Sequence, residues 1–418
     1  MTSSDTGSLA GVDQKAVAVS TTGGAGASQI TFAVSRKHLL IRLIKNKIFG
    51  ILTFGIYRFW GKTHVRRLLW QGTVIENDRL EYTGTAKELF LGFLVAMIIL
   101  LPLMLVVSLA VKLLTVSGPA SGLISQVANF AFLYMFWQFA RYRLWRYRLS
   151  RTSWRGIRFY LSGSAMAYAG QVLLWTVLSI VTLGWAYPWL RAFRLNYQLN
   201  NTHFGDGRFT YQGTVGGLFR IYWPAILIAQ LSIVAVAMYI YQTDAISLSF
   251  SGLAVSKSKL TGGDHAILIL GLGGLFLFLM LSILSFAVRV WEFRYLAGVT
   301  HFLGAAFSSR LTIRSVLSVF LLLLFMGFVA YLGFALLVIT VIKFQTSATA
   351  FVLVLALFVA YLGFDILKTL YLIVPLVSAI CRSLHIYNVE IFEETAASSE
   401  KAPRYGEGFA DALDVGAF

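Results

Sequence analysis

Over most of this chain apolar residues come in unbroken runs rather than in alternation with polar ones. A helix needs roughly 20 apolar residues to cross the hydrocarbon of a bilayer. Runs of about that length lie near 88–111, 123–140, 217–241, 265–288, 316–342 and 349–374; a further run covers 171–190 and a weaker one 48–60. Between the runs the period changes. Arg208-Phe209-Thr210-Tyr211-Gln212-Gly213 alternates as a short strand does before a turn. The pattern predicts an all-α polytopic membrane protein, with about six transmembrane helices in three hairpins, one or two re-entrant or interfacial helices, and short cytoplasmic β-strands between helices.

Charge sets the expected threading. Residues 36–87 hold eleven Lys and Arg against three acids, and 141–158 hold seven arginines and no acid. The segments 191–220 and 289–314 are each net positive by three, whereas 113–122 is uncharged and 242–264 is balanced. Lys and Arg accumulate in cytoplasmic loops. The basic segments therefore belong on one side, which requires 171–190 to enter and leave on that side. Re-entrant backbone of this kind is tolerated where protein or water covers it. Both termini are expected in the cytoplasm. Residues 1–35, rich in Ser, Thr, Gly and Ala, read as a disordered tail, 36–385 as the membrane domain, and 386–418 as an acidic C-terminal tail.

Composition agrees, with 58% apolar and 13% charged residues among 418 and a mean hydropathy of +0.74. The net charge of +17 would suggest nucleic acid in a soluble protein, but orientation in a membrane accounts for it and no nucleic-acid partner is implied. A single cysteine, Cys381, excludes an internal disulfide and a multi-cysteine metal site.

Four basic boxes share one layout, near 60–85, 139–164, 189–214 and 287–312, each centred on a threonine: Thr73, Thr152, Thr202 and Thr300. Eleven residues before it stands Lys62, Arg141, Arg191 or Arg289; seven after it Leu80, Phe159, Phe209 or Phe307; twelve after it Thr85, Ser164, Thr214 or Thr312. The basic half reads as a helix end, the alternating part as a strand, and the closing hydroxyl as the N-cap of the next helix. Thr85 with Glu88 fits a capping box.

A second repeat precedes two boxes: Thr53-Phe54-Gly55 leads to Trp60 as Thr182-Leu183-Gly184 leads to Trp189. From Thr182 through Pro188-Trp189, Arg194, Tyr197 and Asn200-Asn201-Thr202, the chain resembles the YjgN-like family of bacterial inner-membrane proteins, a domain of unknown function. The first copy departs from that signature, with Phe59 in place of the proline and Gly72 in place of the asparagine before threonine. The resemblance implies a multi-pass protein of the bacterial inner membrane and supplies no catalytic residues.

Reactive motifs are scarce. Gly61-Lys62-Thr63 looks like the end of a phosphate-binding loop, but Ile56 stands where its first glycine is required. No metalloprotease, nucleophile-elbow or calcium-loop motif is present, so neither an enzyme nor a cofactor is expected. Asp365 and Lys368 share a helix face inside an apolar run, and His203 and His301 follow two of the box threonines; these four residues form a candidate ion or substrate site. Lys62, Arg141, Arg143, Arg146, Arg148, Arg191, Arg194 and Arg289, with Trp60 and Trp189, are candidates for anionic lipid headgroups or a cytoplasmic protein partner. Phe328–Phe334 recurs as Phe358–Phe364, and Gly333 and Gly363 are expected to let two helices approach closely. The expected function is a non-enzymatic scaffold or lipid-headgroup-interacting protein in the bilayer; a small-solute or ion transporter using Asp365 and Lys368 is the alternative.

Overall fold

The computed structural model describes residues 27–114, 121–243, 247–249, 252–254, 264–344 and 347–398. The chain opens with β1 (Ala27–Gln29) and β2 (Thr31–Phe32), then α1 (Arg36–Leu52) and α2 (Arg58–Gly72). β3 (Thr73–Ile75) and β4 (Asp78–Tyr82) lead to α3 (Ala86–Leu114) and α4 (Ser121–Ser150). β5 (Thr152–Trp154) and β6 (Ile157–Leu161) precede α5 (Ala165–Val181) and α6 (Tyr187–Asn200). β7 (Thr202–Phe204) and β8 (Gly207–Tyr211) precede α7 (Val215–Thr243), the separate ribbon β9 (Ser247–Ser249) and β10 (Gly252–Ala254), and α8 (Asp264–Val299). β11 (Thr300–Phe302) and β12 (Ala305–Ser309) precede α9 (Ile313–Phe344), α10 (Ser347–Lys368), a π-helical turn Thr369–Ile373, α11 (Val374–Ser383) and β13 (Leu384–Tyr387).

The expected all-α architecture is overturned by the strands. Eleven of them join in one antiparallel sheet, ordered β1-β13-β12-β11-β8-β7-β6-β5-β4-β3-β2. Its two edges, β1 and β2, are halves of one segment parted only by Ile30, so the sheet nearly closes into a barrel. The physical reason is that an isolated two-stranded hairpin is marginal. Here each box forms a hairpin, and the four hairpins pair with one another and with the flanking strands β1, β2 and β13. The hairpins are superimposable in plan: three residues, a two-residue turn, five residues. The first turn residue has positive φ in all four: Glu76, Arg155, Gly205 and Leu303. Side chains of alternate residues point into the barrel. Trp154, Phe204, Phe302, Ala305 and Ile386 are buried there, with Ile75, Leu80, Phe159, Phe209 and Phe307 packed against them.

The boxes explain why helix passes into strand at fixed places. Each central threonine turns its Oγ1 back to the carbonyl four residues earlier: Thr73 to Leu69 (3.1 Å), Thr152 to Arg148 (2.9 Å), Thr202 to Gln198 (2.7 Å) and Thr300 to Leu296 (2.7 Å). This satisfies a carbonyl that the helix end leaves open. Twelve residues later, Thr85, Ser164 and Thr214 accept a backbone N–H at the start of the next helix, while Thr312 bonds the Ser315 hydroxyl instead. A tyrosine five residues before the threonine ties each later box to the one preceding it. Tyr147 donates to Glu88 (3.1 Å), Tyr197 to the Ser164 carbonyl (2.9 Å) and Tyr295 to the Thr214 carbonyl (3.1 Å). The first box has Leu68 there and no earlier box to hold.

Helices leave the barrel and return to it at neighbouring strands. α1–α2 joins β2 to β3, α3–α4 joins β4 to β5, α5–α6 joins β6 to β7, α7–α8 joins β8 to β11, and α9–α11 joins β12 to β13. Runs 48–60 and 171–190 both prove to be helix–turn–helix units of one geometry. Thr53 and Thr182 cap the first helix through Phe49 and Leu178 (2.7 and 2.8 Å) and accept the N–H of Tyr57 and Ala186 (2.9 and 3.0 Å). Phe54-Gly55 and Leu183-Gly184 turn with positive φ.

By length and composition, three segments among the described residues are long and apolar enough to cross a membrane, not six: Ala86–Leu113, Val215–Met238 and Gly363–Ser383. The first two coincide with expected spans and the third begins later than 349–374. The other expected stretches lie on helices outside this set; α4 carries Gln126, Asn129 and Gln138 along its apolar part, and Ile313–Val329 is a shorter apolar helix. The two glycines expected to draw α9 and α10 together do not do so, since a Cβ at Gly333 or Gly363 would meet nothing within 4 Å.

Candidate functional site: a basic cleft beside the barrel

About two turns of α2 place Trp60, Thr63, His64 and Arg67 on a single face, the i, i+3, i+4, i+7 set of a helix. Opposite them stands the first turn of α3, with Thr85, Ala86, Lys87 and Glu88. These eight residues line an open cleft of about 480 Å³. Thr63 turns its hydroxyl to the Phe59 carbonyl (2.9 Å), and Arg67 reaches the Gly84 carbonyl (3.0 Å), so the α2 wall is tied to the segment that starts α3.

The charges lining the cleft do not balance. Glu88 is its carboxylate, and Glu88 accepts from Arg151 Nε (2.9 Å) and the Tyr147 hydroxyl (3.1 Å). Arg67, Lys87 and His64 remain. The His64 pKa is lowered, first by burial and then by repulsion from Arg42 and Arg67, and its Nδ1 is buried without a hydrogen-bond partner. Backbone N–H groups at the start of the 29-residue α3 add partial positive charge. Chemically the cleft suits an anion with oxygen acceptors, next to an indole that favours a membrane interface.

A profile of bacterial proteins of unknown function, DUF898, matches residues 27–412. The chain belongs to this family. DUF898 comprises the YjgN-like proteins, so the likeness noted between Thr182 and Thr202 extends over most of the molecule. No curated protein and no solved structure matches the chain.

In this DUF898 protein the residues singled out by sequence scatter into several roles. Trp60 lines the cleft and Lys62 is half-buried on the same helix. Arg146 donates to the Leu161 and Gly163 carbonyls, holding the end of the second hairpin as Arg67 holds the first. Arg143 covers the Phe139 ring at 5.4 Å, and Arg148 supplies the carbonyl that Thr152 caps. Arg191 forms an ion pair with buried Glu292, which also accepts from Tyr222 (2.6 Å). Burial opposes the charge on Arg191, but Glu292 outweighs it and the arginine pKa is raised. Arg194 is buried and donates to Tyr134 (3.0 Å). Arg141, Arg289 and Trp189 are exposed.

Asp365 pairs with Lys47 of α1 at 2.6 Å, and half-buried Lys368 ends α10 just before the π-helical turn. His203 stacks on Tyr160 (4.6 Å between centroids) and stands beside Arg208, whereas His301 pairs in register with Thr210 and Ala306. Strand β8 therefore lies between the two histidines. Sequence reasoning passed over His64, Arg67 and Lys87. The signal was present, since Trp60, His64 and Arg67 follow helical spacing beginning seven residues after Thr53, and Lys87 falls inside the capping box of Thr85 and Glu88.

Proposed function

We propose that the protein is a non-enzymatic, multi-pass scaffold of the bacterial inner membrane that holds the phosphate-bearing headgroup of an anionic lipid in the α2–α3 cleft. The observation that carries this reading is the position of Arg67, Lys87 and Trp60 at the start of Ala86–Leu113, a segment able to cross a bilayer, with the neighbouring carboxylate already engaged by Arg151. Cationic side chains at that level meet anionic headgroups, each contributing about 1 kcal/mol near the surface. In this reading the barrel and its basic boxes face the cytoplasm with both termini, as the positive-inside rule favours.

The test is lipid selectivity in purified protein. Phosphatidylglycerol is expected to raise the Tm in detergent more than phosphatidylcholine or inorganic phosphate does. The double variant Arg67→Ala, Lys87→Ala should lose most of that preference, a change on the order of thirtyfold in affinity from about 2 kcal/mol. Arg141→Ala with Arg289→Ala removes exposed cations elsewhere and should leave most of it. Unchanged selectivity in the first variant, or its loss in the second alone, sinks the assignment.

A further inference from the structure

Between Asn388 and Ser398 the described chain adds no strand to the barrel. It passes through Asn388, at φ 55, into one turn of 3-10 helix, Val389–Phe392, and crosses the end of the barrel where the hairpin turns converge. Contacts follow with three of the four hairpins, and Arg155 links them to the first. Asn388 Nδ2 donates to the Gly304 carbonyl (3.3 Å) in the β11–β12 turn. In the β7–β8 turn, Asp206 donates its N–H to the Ala396 carbonyl (3.0 Å) and accepts the Ala396 N–H on Oδ1 (3.1 Å). Arg155, in the β5–β6 turn, pairs with Glu393 (3.0 Å) and, in the first hairpin, with Asp78 (2.6 Å) and Glu76 (3.4 Å). Phe392 fills the centre, stacked 4.4 Å from Phe302 and edge-on to Trp154 and Phe204 at 5.6 and 5.7 Å.

We propose that this end of the barrel is a docking site for an acidic peptide bearing an aromatic side chain, held shut here by the chain's own Val389–Glu393 segment as a releasable latch. Three features support release. The ring of strands closes without the latch, because β13 ends at Tyr387 and pairs with β1 and β12. Arg155 keeps Asp78 and Glu76 when Glu393 departs, so opening strands no charge, the usual obstacle to breaking an ion pair. The apolar grip is concentrated in Val389 and Phe392, while Glu390, Glu393 and Glu394 face solvent. The occupant also shows what the site recognises: a ring for the slot among Trp154, Phe204, Phe302 and Phe307, a carboxylate for Arg155, and a backbone N–H and carbonyl to pair with Asp206.

Gly205 offers a way to prise the latch off the intact chain. A Cβ there would collide with the Ala396 carbonyl oxygen and sit tightly, at 3.0–3.1 Å, against the flexible side-chain methyls of Ile157 and Thr395, whereas at Gly156, also at positive φ, it would meet nothing within 4 Å. Gly205→Ala and Gly156→Ala thus share backbone strain and differ at the latch. Two readouts are needed: hydrogen exchange along the chain, and anisotropy of a labelled peptide spanning residues 387–394, which stops short of the Thr395 and Ala396 atoms that the new Cβ would strike. In Gly205→Ala, residues 388–398 should exchange on the order of tenfold faster than in Gly156→Ala, with barrel strands unchanged. The peptide should bind Gly205→Ala roughly tenfold more tightly than wild type, and should lose that gain when its phenylalanine is alanine or when Arg155→Ala is added. The proposal is overturned if latch and barrel strands open together, if the latch stays protected in Gly205→Ala, or if it opens and the peptide gains no affinity.

Discussion

In the barrel Phe204 and Phe302 are fully buried and Trp154 is 2% exposed, whereas Phe54 at the α1–α2 turn is 99% exposed and Leu113 on α3 is 85% exposed. Phe130, Ile98 and Leu52 along the helices are also uncovered. The same residue types thus meet opposite surroundings within one chain. The barrel is a packed core, nearly closed by its strand pairing and filled by rings. The helices leave many large apolar side chains uncovered along their length, which is compatible with an apolar medium around them. Stability should accordingly reside in the barrel, and solvation by lipid or detergent in the helices.

The largest expected effect tests that division directly. Phe302→Ala should remove about 3–5 kcal/mol of stability, the usual result of emptying an aromatic site in a packed core. Phe130→Ala, on an exposed helix face, should stay within about 0.5 kcal/mol in detergent. Denaturation of both variants in one detergent is the measurement, and equal losses would erase the contrast between the two regions.

A smaller effect sharpens the boundary between them. The Tyr295 hydroxyl accepts the Thr214 N–H at 2.7 Å and donates to its carbonyl at 3.1 Å, joining the fourth box to the start of α7. Tyr295→Phe keeps the ring and removes both bonds. A loss of about 1 kcal/mol is expected, read as a drop in Tm. No drop at all would mean that the tyrosine clamps are incidental to how the boxes hold together.

How far the sequence foretold this depends on whether a feature is local. Thr73, Thr152, Thr202 and Thr300 and the hydroxyls twelve residues later act on carbonyls and N–H groups within four residues, so their spacing was readable and their roles at helix ends follow directly. Ring closure was not readable. It depends on β1 and β2 pairing with β13 and β3, and on three-residue strands such as Thr300-His301-Phe302 that carry little signal alone. The partners of Asp365 and Glu292 were equally hidden, because Lys47 and Arg191 lie more than a hundred residues away in sequence. Asp365 and Lys368 looked paired by helical spacing, and tertiary packing gave the aspartate a different cation. The cleft is an intermediate case: each wall is a local pattern, and only their apposition required the fold.

The smallest effect lies in the cleft, where barrel and helices meet. His64 has its pKa lowered from the ordinary 6.5, chiefly by burial and then by Arg42 and Arg67. As pH falls below that value the unfolded chain takes up the proton first. The stability present above about pH 6.5 is then lost as pH falls through the lower, folded value. His64→Gln should therefore flatten the fall of Tm between about pH 7 and pH 5 relative to wild type. Anionic lipid provides a further turn of the same argument. A headgroup seated between Arg67 and Lys87 would favour the protonated imidazole and raise its pKa, so phosphatidylglycerol should shrink the pH dependence of wild type and leave that of His64→Gln unaltered. If wild type and His64→Gln slope alike with and without lipid, His64 neither feels the cleft's cations nor meets the headgroup, and the cleft loses its claim to be where the two regions communicate.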